Sequence, residues 1–207
     1  ETTLDYYLHR KSHPMAKVRW GVLSTAKIGL EKVIPAMQRG EHTTVTALAS
    51  RDLERGRAAA ARAGIPKIYG SYEELLADPE IDAIYNPLPN PLHVSVSIAA
   101  LEAGKHVLVE KPMGLTAFEA DAMIHAARKA GTFLGEAFMY RLHPQTEKLV
   151  ELVKSGAIGE VRMIKSSFGF AMPAFMPEHR LYANDLAGGG FIAQRLHQAI
   201  AVGRRMA

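Results

Sequence analysis

From Val18 to Ala137 the chain alternates short β-rich runs with helix-length segments, and nothing else in it narrows the fold as much. Val18 to Leu23 reads as a strand with a breaker after it. Near Gly29 to Gln38, Ile28, Val33, Ile34 and Met37 follow helical spacing. Thr43 to Ala49 is β-branched and alternating, a second strand. Asp52 to Ala63 is rich in Ala, Glu and Arg and stops at Gly64, which predicts a helix. Ser71 and Glu74 have capping-box spacing, as do Thr116 and Glu119 ahead of a helix ending at Gly131. Ile81 to Asn86, His106 to Glu110 and Thr132 to Ala137 read as strands, and His93 to Ala103 as a helix before Gly104. Strands joined through helices imply right-handed crossovers and a parallel sheet. Such a sheet binds ligands at the carboxyl ends of its strands. The loops that matter therefore follow Leu23, Ala49, Tyr85, Glu110 and Ala137.

The loop after Leu23 reads Ser24-Thr25-Ala26-Lys27-Ile28-Gly29. Backbone N–H groups at a helix start hold a pyrophosphate, and small residues let it approach. A G-x-G-x-x-G fingerprint would begin at position 24; here it reads Ser-x-Ala-x-x-Gly, which also suits a plain strand-to-helix turn. About twenty residues on, an NAD-type site would show Asp or Glu for the ribose hydroxyls. This chain has Ser50-Arg51-Asp52, with Arg55 one turn later. A small hydroxyl plus guanidinium suits a 2′-phosphate and favours NADP over NAD. Asp52 is the competing ribose reader, but it sits where a helix N-cap belongs. Arg51 also reads as a solvated surface arginine.

In Asn86-Pro87-Leu88-Pro89-Asn90-Pro91-Leu92-His93, three prolines stiffen the loop. A rigid loop here can pack beside a nicotinamide ring, with Asn90 and His93 supplying polar edges; His93 equally reads as a helix-start residue with a local bond. Glu110-Lys111-Pro112 follows an apolar strand. A lysine there is costly to desolvate without a partner or a task, and Glu110 is adjacent. It is a proton donor or acceptor by this reading, and a surface Lys-Pro turn by the other.

Composition removes other classes. There is no cysteine, so disulfide frameworks, thiolate metal sites and cysteine nucleophiles are excluded. Apolar residues make up 48% and charged residues 22%, an ordinary globular mix that excludes a mostly disordered chain. No apolar run has the length of a membrane span, and the first residues carry no secretory core, so a cytoplasmic protein is expected. The net charge is +4, but it is dispersed, so no nucleic-acid partner is expected. His9 and His13 have no third ligand beside them, and no metal site is expected. His42, His106 and His125 read as structural.

After Ala137 the rhythm changes. Pro144 to Ser155 reads as a helix closed by Gly156, and Val161 to Phe170 as one long strand. This is the start of an α+β domain. Left alone, such a strand would present open edges, so pairing with a copy of itself, a homo-oligomer, is expected.

Taken together, these loops resemble the glucose-fructose oxidoreductase/inositol dehydrogenase (Gfo/Idh/MocA) family, in register from about Val18 to Gly190. The most specific stretches run from Ala83 to His93, from Ala103 to Pro112 and from Glu136 to Pro144; Glu110-Lys111-Pro112, one unit after the Pro-Asn-x-x-His loop, is a strong signature. The wording is most similar to the NADP-dependent xylose dehydrogenase and dimeric dihydrodiol dehydrogenase branch.

The resemblance implies an NADP(H)-dependent oxidoreductase acting on a sugar or polyol. The cofactor would lie across Ser24 to Ile28, Ser50 to Arg55, Leu88 to His93 and Glu110-Lys111. Lys111 would be catalytic and move a proton at the reacting hydroxyl, with Glu136 and Arg141 near the nicotinamide end. The implied fold class is α/β: a Rossmann dinucleotide-binding domain with a parallel sheet over residues 15–137, then a truncated α+β substrate and dimerisation domain over 138–190. Residues 1–14 match nothing and read as a leader outside the fold, with a natural start at Met15. Residues 191–207 read as a divergent tail, because Gln194 and Gln198 stand where the family pattern expects Asp and then His or Tyr. The chain ends well short of a family member, and little or no turnover is the alternative expectation.

Overall fold

The computed structural model describes residues 16–165. The expected leader, the tail and residues 166–190 lie outside them. The strands are β1 (Val18–Leu23), β2 (Thr43–Ala49), β3 (Lys67–Tyr69), β4 (Ala83–Asn86), β5 (His106–Val109) and β6 (Leu134–Glu136). They form one sheet in the order β3-β2-β1-β4-β5-β6. The pairs β1–β2, β2–β3 and β5–β6 are parallel. The chain divides into two compact units on either side of the Ala83–Ile84 bond.

In the first unit, the helical bonding after β1 begins where Leu30 N–H meets Ala26 O at 3.0 Å. Gly29–Val33 is a widened π-type turn that runs into α1 (Ile34–Arg39); Ile34 N–H reaches back to Gly29 O. Pro35 follows at once and has no N–H to give, so the i→i−4 ladder is interrupted where the turn widens. Helix α2 (Leu53–Ala63) starts at Asp52, whose carboxylate accepts from Arg55 N–H, and ends at Gly64 in the left-handed conformation. The core of this unit is Val22, Leu23, Ile34, Ala47, Leu48, Ala49, Leu75 and Ile81, all buried.

Two ion clusters fasten its sheet. Arg19 grips Asp82 with two side-chain bonds of 2.7 and 3.0 Å, and Arg19 N–H donates to the same carboxylate at 2.8 Å. Asp78 accepts from Tyr69 Oη at 2.6 Å and from Lys67 Nζ at 2.9 Å. Those bonds, with Glu80 N–H, hold the Asp78 carboxyl well below the usual carboxylate range.

β3 is absent from the sequence reading. Its three residues are too few to show a period, and they are a strand only because Ala47–Ala49 offers a parallel edge to Lys67–Tyr69. Helix α3 (Tyr72–Ala77) corrects half of the first capping box. Ser71 accepts from Glu74 N–H, but Glu74 reaches back to Gly70 N–H, one residue beyond the cap. The second box, Thr116 with Glu119, is complete and opens α5 (Ala117–Ala130), which closes at left-handed Gly131.

The second unit continues through α4 (His93–Glu102), α5 and β6. Its core includes Ile84, Tyr85, Leu101, Val107, Val109 and Met123. Helix α6 (Pro144–Lys154) takes its N-cap from His143 and buries none of its residues. The long strand expected from Val161 needs correction over its described part: Val161–Lys165 form no regular element. A strand is held by its ladder, and no described strand pairs with this segment. Among the described residues, no helix is long and apolar enough to cross a membrane.

Candidate functional site

The turn after β1 is set by Ser24, which sits at φ +78°, the left-handed region that favours glycine. Its N–H donates to Ala49 O at 2.8 Å, and its hydroxyl accepts from Ala26 N–H at 3.3 Å. Serine thus occupies the first glycine position of the fingerprint with a glycine's backbone. Thr25 is buried, Ala26 half-buried, and Lys27 and Ile28 exposed.

After β2, Ser50 is buried and its N–H donates to Tyr69 O at 3.0 Å. A Cβ on Gly56 would stand 2.9 Å from Ser50 Cβ, so glycine lets α2 approach the end of the strand. Arg51 and Arg55 are exposed, and among the described residues neither enters an ion pair. Asp52 Oδ1 is engaged with Arg55 N–H at 3.0 Å, so this carboxylate is committed to the helix cap.

In the second unit the polar groups turn inward. Asn86, fully buried, donates through Nδ2 to Ser97 Oγ (3.0 Å) and His93 O (3.3 Å), and accepts from Leu88 N–H (3.2 Å). Leu88 and Asn90 are buried. The ring of His93 is 1% exposed. Its Nδ1 lies 2.8 Å from Pro112 O and its Nε2 2.7 Å from Leu88 O. The polar edges expected of Asn90 and His93 are therefore not presented to solvent. Proline removes N–H donors from this loop, and its carbonyls instead recruit the histidine.

Glu110 also differs from expectation. One carboxylate oxygen accepts from Tyr85 Oη at 2.7 Å, and the other from the backbone N–H of Lys111 at 3.3 Å. Its side-chain partner is a buried tyrosine, not the adjacent amine. Burial first, and then the Glu110 charge and bond, push the Tyr85 phenol well above its ordinary value. The Lys111–Pro112 peptide is cis. Past it, Met113 N–H donates to Glu136 Oε1 at 2.9 Å. Lys111 is half-buried, and among the described residues its amine enters no ion pair. Arg141 is exposed on the turn before α6.

Sequence reasoning missed Tyr85, Asn86 and Ser97. Tyr85 reads as one apolar strand residue among several, and Ser97 as a helix residue. Only Asn86 left a signal, as an Asn-Pro step after a strand. No group of three histidines or carboxylates suited to a metal ion occurs among the described residues.

The family described as an oxidoreductase family with an NAD-binding Rossmann fold matches residues 18–138. The D-xylose 1-dehydrogenase (NADP(+)) 2 of Haloferax volcanii is 49% identical over 170 residues, 82% of this chain and 51% of that protein. The trans-1,2-dihydrobenzene-1,2-diol dehydrogenase of Mus musculus is 40% identical over 179 residues, 84% of this chain and 52% of that protein. A crystal structure of a 3-ketoreductase from Actinomadura kijaniata in complex with NADP superposes with a TM-score of 0.65 at 38% identity, covering 70% of this chain and 46% of that one. The chain spans about half the length of the curated relatives it matches. The family match covers more than half of the chain, over the strands and loops described above, and the chain belongs to the Gfo/Idh/MocA oxidoreductase family.

Proposed function

We propose that this chain binds NADP(H) and serves an oxidoreductase that moves hydride between the nicotinamide and a CH–OH carbon of a sugar or polyol. The observation that carries the cofactor choice is the loop after β2. Asp52 is spent on a helix cap, while Arg51 and Arg55 stand exposed beside buried Ser50. A carboxylate there would accept ribose hydroxyls; two guanidinium groups instead suit a 2′-phosphate. The left-handed turn at Ser24 and the helix start behind it suit the pyrophosphate. The relatives named for NADP support the same reading.

When bound, the cofactor supplies the hydride acceptor or donor. The residues of this chain do the rest. Arg51 and Arg55 hold the phosphate charge, and Ser24 to Ile28 offer backbone N–H groups. Lys111 takes the proton of the reacting hydroxyl in oxidation and returns it in reduction. Glu136 braces the segment after Lys111 through Met113 N–H. Residues 15–137 form the cofactor domain, and 138–190 begin the substrate and dimer-forming domain; α6, which buries none of its residues, fits an element that waits for further packing.

A second reading has one observation in its favour. Gln194 and Gln198 stand where the family pattern expects Asp and His or Tyr, which suits a chain that holds NADP(H) with little or no turnover.

Fluorescence titration with NADPH and NADH tests the cofactor choice. Arg51→Ala should cost about 1.5–3 kcal/mol of NADPH affinity, as expected for a charge-assisted bond, and leave NADH nearly unchanged. An equal loss for both would remove the phosphate-reading role. Turnover with D-xylose, abolished by Lys111→Ala, separates the enzyme from the cofactor-holding chain.

A further inference from the structure

We propose that His93 is the positioning residue for Lys111, acting through the carbonyl of Pro112. The inference rests on the proposed role of Lys111 and deepens it. Three observations carry it.

The first is the span of the ring. Its two nitrogens reach Leu88 O on the loop after β4 and Pro112 O on the turn after β5, at 2.7 and 2.8 Å. Carbonyl oxygens only accept, so any hydrogen in these contacts comes from the ring. A neutral imidazole supplies one, and a doubly protonated ring supplies both.

The second is the position it holds. The backbone on either side of Lys111 is held at Glu110 by Asn86 O (3.0 Å) and at Met113 by Glu136 (2.9 Å). Between them Pro112 has no N–H, so its carbonyl is the one backbone polar group residue 112 can offer. The His93 ring takes it.

The third is the contrast with the lysine itself. Its amine enters no ion pair among the described residues, and its stem has four rotatable carbon–carbon bonds. The amine is then placed by the backbone that carries it. Misplacing a reacting group by about 1 Å costs on the order of a hundredfold in rate, so a fixed turn has a direct kinetic use.

The test reads Lys111 without needing turnover. Lysines of the whole chain are reductively dimethylated with 13C-formaldehyde, and the Lys111 methyl signal is assigned by its loss in Lys111→Arg. In His93→Leu, which has no N–H to offer either carbonyl, the Lys111 signal should move toward that of free dimethyl-lysine. The signals of the exposed helix lysines Lys129 and Lys148 should stay in place. NADPH affinity should hold within about threefold, while kcat on an aldose falls at least about tenfold with little change in KM, as loss of alignment predicts. A Lys111 signal that stays put while the melting temperature drops would overturn the proposal and leave His93 a structural residue. Failure of both chains to bind NADPH would instead sink the functional reading, and the methyl signal would still decide the role of His93. Should His93→Leu not fold, the wild-type ring decides: a slowly exchanging ring N–H close to Pro112 supports the positioning contact, and a freely exchanging ring, or an N–H protected only at Leu88, overturns it.

Discussion

The two units secure the loops at their strand ends in opposite ways. In residues 16–83 the loops after β1 and β2 hang on backbone bonds, Ser24 to Ala49 and Ser50 to Tyr69, and their cationic side chains point to water. In residues 84–165 the loops are sewn together from inside by Asn86, His93, Tyr85 and Ser97, each at most 1% exposed. On the proposed function, the difference would suit the task of each half: long, exposed guanidinium groups would adapt to a phosphate as it arrives, whereas a lysine that handles one proton would need a turn that does not move.

That contrast can be broken first at Asn86. Replacing it with Ala takes this partner from Ser97 Oγ and Leu88 N–H and removes a second donor from His93 O, and the expected loss is about 3 kcal/mol in urea unfolding. A loss below about 1 kcal/mol would mean that the buried network is dispensable.

Tyr85→Phe comes next. It removes the phenol from Glu110 and should cost about 2 kcal/mol, the range for a hydrogen bond to a charged group. It also carries a pH signature. The folded phenol ionises above its unfolded value, so its contribution is complete below pH of about 10 and fades as pH rises further. Wild-type stability should therefore fall in strong alkali more steeply than that of Tyr85→Phe. Asp78, in the first unit, has the opposite dependence. Asp78 ionises below its unfolded value, so its contribution is complete above pH of about 4 and fades in acid.

Smaller effects are expected where the first unit depends on backbone shape. Gly56→Ala places a methyl group against Ser50 Cβ and Ile68, and should cost about 1 kcal/mol, crowding outweighing the better helix propensity of alanine. Thermal unfolding checks this, and a gain in stability would show that α2 shifts freely. Ser24→Gly should change stability by less than about 0.5 kcal/mol, because relief of left-handed strain offsets the added chain entropy. A loss beyond about 2 kcal/mol would give the Ser24 hydroxyl a larger part than its single bond to Ala26 N–H suggests.

Much of the architecture was legible residue by residue. Val18–Leu23 and Thr43–Ala49 are strands with the bounds their patterns predict, and Thr116 with Glu119 caps a helix as its spacing requires. Asp52 could be set aside as a ribose ligand on the strength of its N-cap position, and the structure bonds it to Arg55 N–H. Lys67–Tyr69 went unread, and Val161–Lys165 were read as part of a strand, for one shared reason: a strand exists only where a partner edge exists, and partners are not written in the local sequence.

The chain's local chemistry was enough to set the order of elements, the helix caps and the loops that matter, because periodicity, capping and turn residues act over a few positions. Which polar side chains face the loops and which turn inward was decided by the tertiary structure alone. By sequence His93 read equally as a polar edge for a cofactor and as a helix-start residue with a local bond. It is buried because two carbonyls, from residues 5 and 19 positions away, need a hydrogen in a place water does not reach.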